Sequence, residues 1–246
     1  MFIFLNHVIE LHYQTKHVTS TDEPVGVEVL TRCFDFSGEQ VYVGAFLEQV
    51  IRSGEINNFT LQLASHAFAD LTFYRYDHLS CAINVFQSQL NNRSFLYDFI
   101  TLANNYAGEV IVELSEKDIN RDLTKLHAIQ ALKSNGITLS LDDFGAYNAT
   151  IIEMLTYGYD EVKLDRSLLD LDNLKKSSMF IMHLQCFFKQ SGIRSVIEGI
   201  EDQVHLDVAK TLGVDQVQGF VYSRPVRIYE LTAPRLHECS LQRASI

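Results

Sequence analysis

Residues 141–145, Leu-Asp-Asp-Phe-Gly, put two adjacent carboxylates directly after a short apolar run. Neighbouring carboxylates repel each other, and near a core they are costly unless a cation or a hydrogen-bond network offsets them. The plain alternative is a strand-to-helix turn in which Asp143 or Asn148 caps the next helix. Other polar groups stand in equivalent places. Glu28 lies near the end of the run 25–30, Asn84 near the end of 79–85, and Glu113 near the end of 109–114. Lys163 and Asp165 sit in 161–165, Glu198 follows 194–197, and Gln218 follows 214–217. Any one of these alone reads equally well as a solvated rim or turn residue, since such side chains are mostly exposed.

The set is harder to dismiss. Glu28, Glu113, Asp142, Asp143 and Glu198 with one lysine would repel themselves strongly if brought together. Hard divalent ions such as Mg2+ or Mn2+ resolve that repulsion, because carboxylate and amide oxygens suit them. None of the nine histidines stands at these run ends, which argues against a histidine-built zinc site. Two such ions would activate a water and neutralise a phosphoryl transition state. In that reading Asp142 bridges the ions and Asp143 holds the second. Lys163 hydrogen-bonds the water or helps to deprotonate it, and Arg32 forks onto a substrate phosphate.

Elements must exist that carry these groups to one place. Strands are expected over 2–14, 25–30, 79–85, 109–114, 137–141, 159–164, 194–197 and 214–217. Helices are expected over 43–53, 57–71, 94–105, 122–134, 148–157, 167–190, 202–212 and 228–236. Val43, Phe46, Leu47, Val50 and Ile51 make one apolar helical face, and Gly136, Gly192 and Gly213 are helix stops. Strand–helix alternation implies an α/β chain with a parallel sheet. About eight strands in 246 residues close naturally into a (β/α)8 TIM-type barrel, whose chemistry sits at the C-terminal strand ends. The alternative, an open doubly wound sheet, lacks support from any glycine-rich dinucleotide turn.

Composition sets the outer bounds. No Gly/Ser/Pro-rich linker divides the chain, which has only 3 prolines, so a single domain over 1–246 is expected. A net charge of −11 argues against DNA or RNA polymers as partners. Cys33, Cys81, Cys186 and Cys239 have no paired spacing and read as thiols of a reducing compartment. The apolar start is broken by Asn6 and His7 and is too short to span a bilayer. The expectation is a soluble, cytoplasmic protein with no membrane partner.

Seven motifs in order make the chain resemble the EAL-domain family of cyclic-di-GMP phosphodiesterases over almost its whole length. They are GVEVLTR (26–32), INVFQSQL (83–90), VELSE (112–116), LDDFG (141–145), VKLDRS (162–167), IEGIED (197–202) and QGFVYSRP (218–225). The resemblance implies a barrel whose first strand runs antiparallel to the others, and a stand-alone EAL domain that acts as a homodimer. It implies hydrolysis of cyclic-di-GMP to the linear dinucleotide with two Mg2+ or Mn2+ ions. Glu28, Asn84, Glu113 and Asp142 would then bind metal, and Asp143 the second ion. Lys163 and Glu198 would support the attacking water, while Leu30, Arg32, Asp165 and Gln218 would line the substrate site. Glu116 and Glu201 would brace the loops. The other function in view is a weak or inactive relative that binds cyclic-di-GMP or a regulatory protein. The departures are Val29 within the signature, Phe86 in place of a small hydroxyl residue, and the loop Ala146-Tyr147-Asn148-Ala149-Thr150, where the family commonly has T-G-Y-S-S.

Overall fold

The computed structural model describes residues 1–115, 125–146, 151–169 and 174–231. Its first two strands, β1 (Phe2–Phe4) and β2 (His7–Val18), form an antiparallel hairpin. Leu5 and Asn6 both take positive φ, 42° and 62°, as a two-residue hairpin turn with the right twist requires. The single strand expected over 2–14 is therefore two strands, and β2 continues to Val18.

Next come β3 (Pro24–Phe34) and the short β4 (Gln40–Val41), followed by β5 (Ser80–Asn84), β6 (Val110–Ser115) and β7 (Thr138–Phe144). The last three are β8 (Glu161–Leu164), β9 (Arg194–Ile197) and β10 (Gln216–Gln218). From β3 through β5, β6, β7, β8 and β9 to β10, neighbours in the barrel wall are parallel. β2 closes the ring by pairing antiparallel with β3 on one side and β10 on the other. The result is a closed eight-stranded barrel in which the first wall strand runs against the rest. The parallel strands are buried on both faces, and in β8 even Glu161 and Lys163 are enclosed.

Helices α1 (Val43–Arg52), α2 (Ile56–Phe73), α3 (Arg93–Ala103), α4 (Lys125–Ser134), α5 (Ile151–Tyr157), α6 (Leu174–Ser191) and α7 (Gln203–Leu212) connect the strands. Asp202 caps α7 by accepting the His205 N–H at 2.9 Å, and Gly213 ends it at φ 70°. The expected closing helix over 228–236 is a 3-10 turn, Ile228–Glu230, as far as residue 231. The remainder of that span, with 122–124, 148–150, 170–173 and Cys239, lies outside the described residues. Cys33 and Cys81 are buried free thiols and Cys186 is an exposed one. Among the described residues no helix is long and apolar enough to cross a membrane.

Candidate active site

Parallel pairing places the strand-end groups side by side. Asn84 on β5 is opposite Glu113 on β6, Glu113 is opposite Ser140 on β7, and Ser115 is opposite Asp142. The β7 strand does not end at Leu141, as its sequence suggested, but runs to Phe144. Its register against β8 shifts between Leu141 and Phe144, and the irregularity falls on Asp142 and Asp143. Asp143 takes φ 60°, and the Ala146 N–H returns to its carbonyl at 3.0 Å. A bulge of this kind re-aims side chains beside active sites, here two consecutive carboxylates.

The centre of the group is the Lys163 ammonium, whose side chain is only 1% exposed. Its Nζ lies 2.8 Å from Asp142 Oδ1, 3.2 Å from Glu113 Oε1, 3.2 Å from Glu198 Oε2 and 3.4 Å from Glu28 Oε2. Glu28 is held from both sides. Asn84 Nδ2 donates to its Oε1 at 3.1 Å and Gln218 Nε2 to its Oε2 at 2.6 Å. Gln218 in turn contacts Gln14 on β2 at 3.3 Å.

One ammonium does not balance this many acids, and the ionisation of the group shows the strain. Burial pushes Glu113 up to about 8, against the pull of Lys163. Burial likewise holds Glu198 well above the carboxylate range. Burial also opposes ionisation of Asp142, but the adjacent Lys163 outweighs it and brings that acid below its ordinary value. Burial disfavours the Lys163 ammonium too, yet Asp142, Glu113, Glu198 and Glu28 together raise it well above the usual lysine range.

The donor set fits hard divalent ions. Glu113 Oε2 and Glu198 Oε1 are buried oxygens with no hydrogen-bond partner among the described residues, a costly condition that a cation removes. Asp142, Asp143 and Glu198 each present an oxygen within 4.8 Å of the others'. Counted with Glu28 and Glu113, five carboxylates gather at one mouth around Lys163, an oxygen-rich set of the kind that hard divalent ions take.

The remaining predicted residues divide. Leu30 and Arg32 line an apolar cavity of about 320 Å³ with Asn84 and Phe86, between the ends of β3 and β5 and helices α1 and α2. Val29 is buried in the core, as a packing substitution should be. Asp165 accepts the Ser167 N–H at 2.8 Å and so caps the 3-10 turn Arg166–Leu168. Glu201 pairs with Arg166 at 2.8 Å, a contact that ties the loops after β8 and β9 together. Glu116 lies outside the described residues. One residue escaped the sequence reading altogether. Lys16 on β2 is fully buried, 3.3 Å from Glu161 and 3.6 Å from Glu113. Its one sequence signal is that it shares a strand face with Gln14, two residues earlier.

Comparison with known proteins agrees with this architecture. The EAL domain family model matches residues 4–225. The oxygen sensor protein DosP of Escherichia coli strain K12 is 26% identical over 234 residues, covering 92% of this chain and 29% of its own length. The cyclic di-GMP phosphodiesterase PdeL of the same organism is 26% identical over 229 residues, covering 90% of this chain and 63% of its own. The chain thus spans less than two thirds of either relative. Among solved structures, the PaMucR phosphodiesterase in complex with c-di-GMP superposes with a TM-score of 0.78 at 21% identity, covering 91% of this chain and 94% of that one. Klebsiella pneumoniae BlrP1, in a manganese/cy-diGMP complex, gives 0.73 at 20% identity, covering 89% and 56%.

Proposed function

The chain belongs to the EAL domain family, and from that membership we propose that it is a phosphodiesterase hydrolysing cyclic-di-GMP to the linear dinucleotide with two divalent ions, Mg2+ or Mn2+. The observation that carries the proposal is the ring of acids around Lys163, with buried carboxylate oxygens left unpaired. Glu28, Asn84, Glu113 and Asp142 would hold one ion, and Asp142 with Asp143 the other. Bound there, divalent ions neutralise a phosphodiester and lower the cost of ionising water.

The chain's own groups have distinct tasks in this reading. Burial opposes the Lys163 ammonium but the surrounding carboxylates favour it more strongly, which suits it to donate a hydrogen bond and a positive charge to the reacting centre. Burial gives Glu198 a raised proton affinity, which suits it to take up a proton from the reacting water. Gln218 and Asn84 fix the Glu28 carboxylate from opposite sides. Arg32, at the rim of the cavity beside Asn84, meets the anionic substrate.

The test is incubation of purified protein with cyclic-di-GMP and Mg2+ or Mn2+, followed by product chromatography. The linear dinucleotide should form and should vanish in excess EDTA. Tight binding of cyclic-di-GMP with no product would favour the other reading, a relative that binds without turnover.

A further inference from the structure

Beneath the Lys163 ring, charge continues down the barrel axis. Lys16 Nζ lies 3.3 Å from Glu161 Oε1 and 3.6 Å from Glu113 Oε1, with all three side chains 0% exposed. Glu161 is already paired. The Arg194 Nε donates to its Oε2 at 2.7 Å, and the Arg194 guanidinium reaches on to Glu109 at 3.0 Å near the barrel floor. Arg194 holds one oxygen of Glu161 and Lys16 the other, so Glu161 takes part of the charge of two cations and Lys16 still faces Glu113 Oε1. Barrel interiors at this depth are normally filled by branched aliphatic side chains. A buried ion pair adds little net stability over such packing, so stability alone does not explain a lysine here.

Neither Glu113 oxygen has a hydrogen-bond partner among the described residues, but Oε1 faces two ammonium groups, Lys163 above at 3.2 Å and Lys16 below at 3.6 Å. We propose that Lys16 is a positioning residue for the metal site: a built-in counter-cation that binds one oxygen of Glu113 from inside the barrel and thereby weakens the hold of the cage on divalent ions. The inference rests on the reading of Glu113 as a metal ligand. A fixed positive charge a few ångströms from a cation site opposes cation entry, and burial protects that effect from salt screening. Glu161 has the reverse effect, since it absorbs part of the Lys16 charge. The sign of the change separates this role from a purely structural one. A lysine that merely propped up the barrel would, on removal, distort the cage and loosen the metal.

The experiment is Mn2+ titration of wild-type, Lys16→Met, Lys16→Met/Glu161→Gln and Glu161→Gln proteins, read by calorimetry and by the electron paramagnetic resonance signal of free Mn2+. Circular dichroism checks that each folds. Lys16→Met should bind Mn2+ about tenfold more tightly or better, and Glu161→Gln about threefold more weakly, at low and high salt alike. The double variant, which removes the buried pair together, guards against loss of fold in Lys16→Met and should also bind more tightly than wild type. Unchanged or weakened Mn2+ binding in the folded Lys16 variants, beside normal binding by wild type, overturns this inference alone. No Mn2+ binding by the wild-type protein overturns both it and the metal-site reading.

Discussion

Replacing Lys163 with methionine keeps the side chain's length and removes the only charge that all four ring acids share. The ammonium lies 2.8–3.4 Å from Asp142, Glu113, Glu198 and Glu28. At an effective dielectric of about 20, each contact is worth roughly 5 to 6 kcal/mol of attraction before desolvation. The desolvation of a fully buried ammonium and the uptake of protons by the orphaned acids cancel most of that sum. What remains is the usual cost of breaking a buried ionic group, about 3 to 5 kcal/mol. For a chain of this size that lowers Tm by roughly 6 to 20 °C. The assay is thermal unfolding in EDTA at pH 8, repeated with Mn2+. The deficit should shrink sharply with Mn2+, because the cage without its lysine is more negative and holds cations harder. Turnover should still fall about 100-fold or more in kcat, the scale for removing a positioned donor that stabilises developing charge, while cyclic-di-GMP binding measured in Ca2+ changes much less. Wild-type Tm in EDTA, or a loss confined to substrate affinity, would refute the reasoning.

Further outcomes follow from the same geometry. Glu28→Ala should abolish turnover and leave the fold intact, since it removes a ligand and relieves repulsion; undiminished hydrolysis would contradict its place in the cage. Arg32→Ala should raise KM about tenfold with little change in kcat, the pattern of lost uniform binding, checked by steady-state kinetics. In EDTA, stability should fall as pH rises: burial holds Glu113 at about 8 and Glu198 well above the carboxylate range, so between about pH 5 and 8 the folded chain keeps protons that the unfolded chain has released. Urea unfolding at pH 5.5, 7 and 8.5 checks the sign, and added Mn2+ should flatten the slope because the metal displaces those protons.

The barrel was legible because short strand-like runs alternate with helical periods along most of the chain, and β9 matches its expected span of 194–197. The convergence of Glu28, Glu113, Asp142, Lys163 and Glu198 followed from topology, since parallel strands in a closed barrel bring their C-terminal ends to one mouth. Three features were not readable. The turn at Leu5 and Asn6 needs positive φ at a leucine, which no local preference announces. The cap that Asp165 provides by accepting the N–H of Ser167 is not announced by its place at a strand end. Lys16 lies beyond the strand expected over 2–14, and its ionic partners Glu161 and Glu113 are far away in sequence on other strands. The bulge at Asp142 and Asp143 was half visible: the paired acids mark the place, but the extension of β7 to Phe144 comes from pairing with β8.

Whether the acid ring is a metal cage is measured most directly by anomalous diffraction from crystals grown with Mn2+. Two peaks should appear at the barrel mouth, one among Glu28, Asn84, Glu113 and Asp142 and one between Asp142 and Asp143, and both should be lost in Glu28→Ala/Asp142→Ala. Wild-type crystals at saturating Mn2+ with no anomalous peak at the mouth, or with peaks bound elsewhere only, would contradict it.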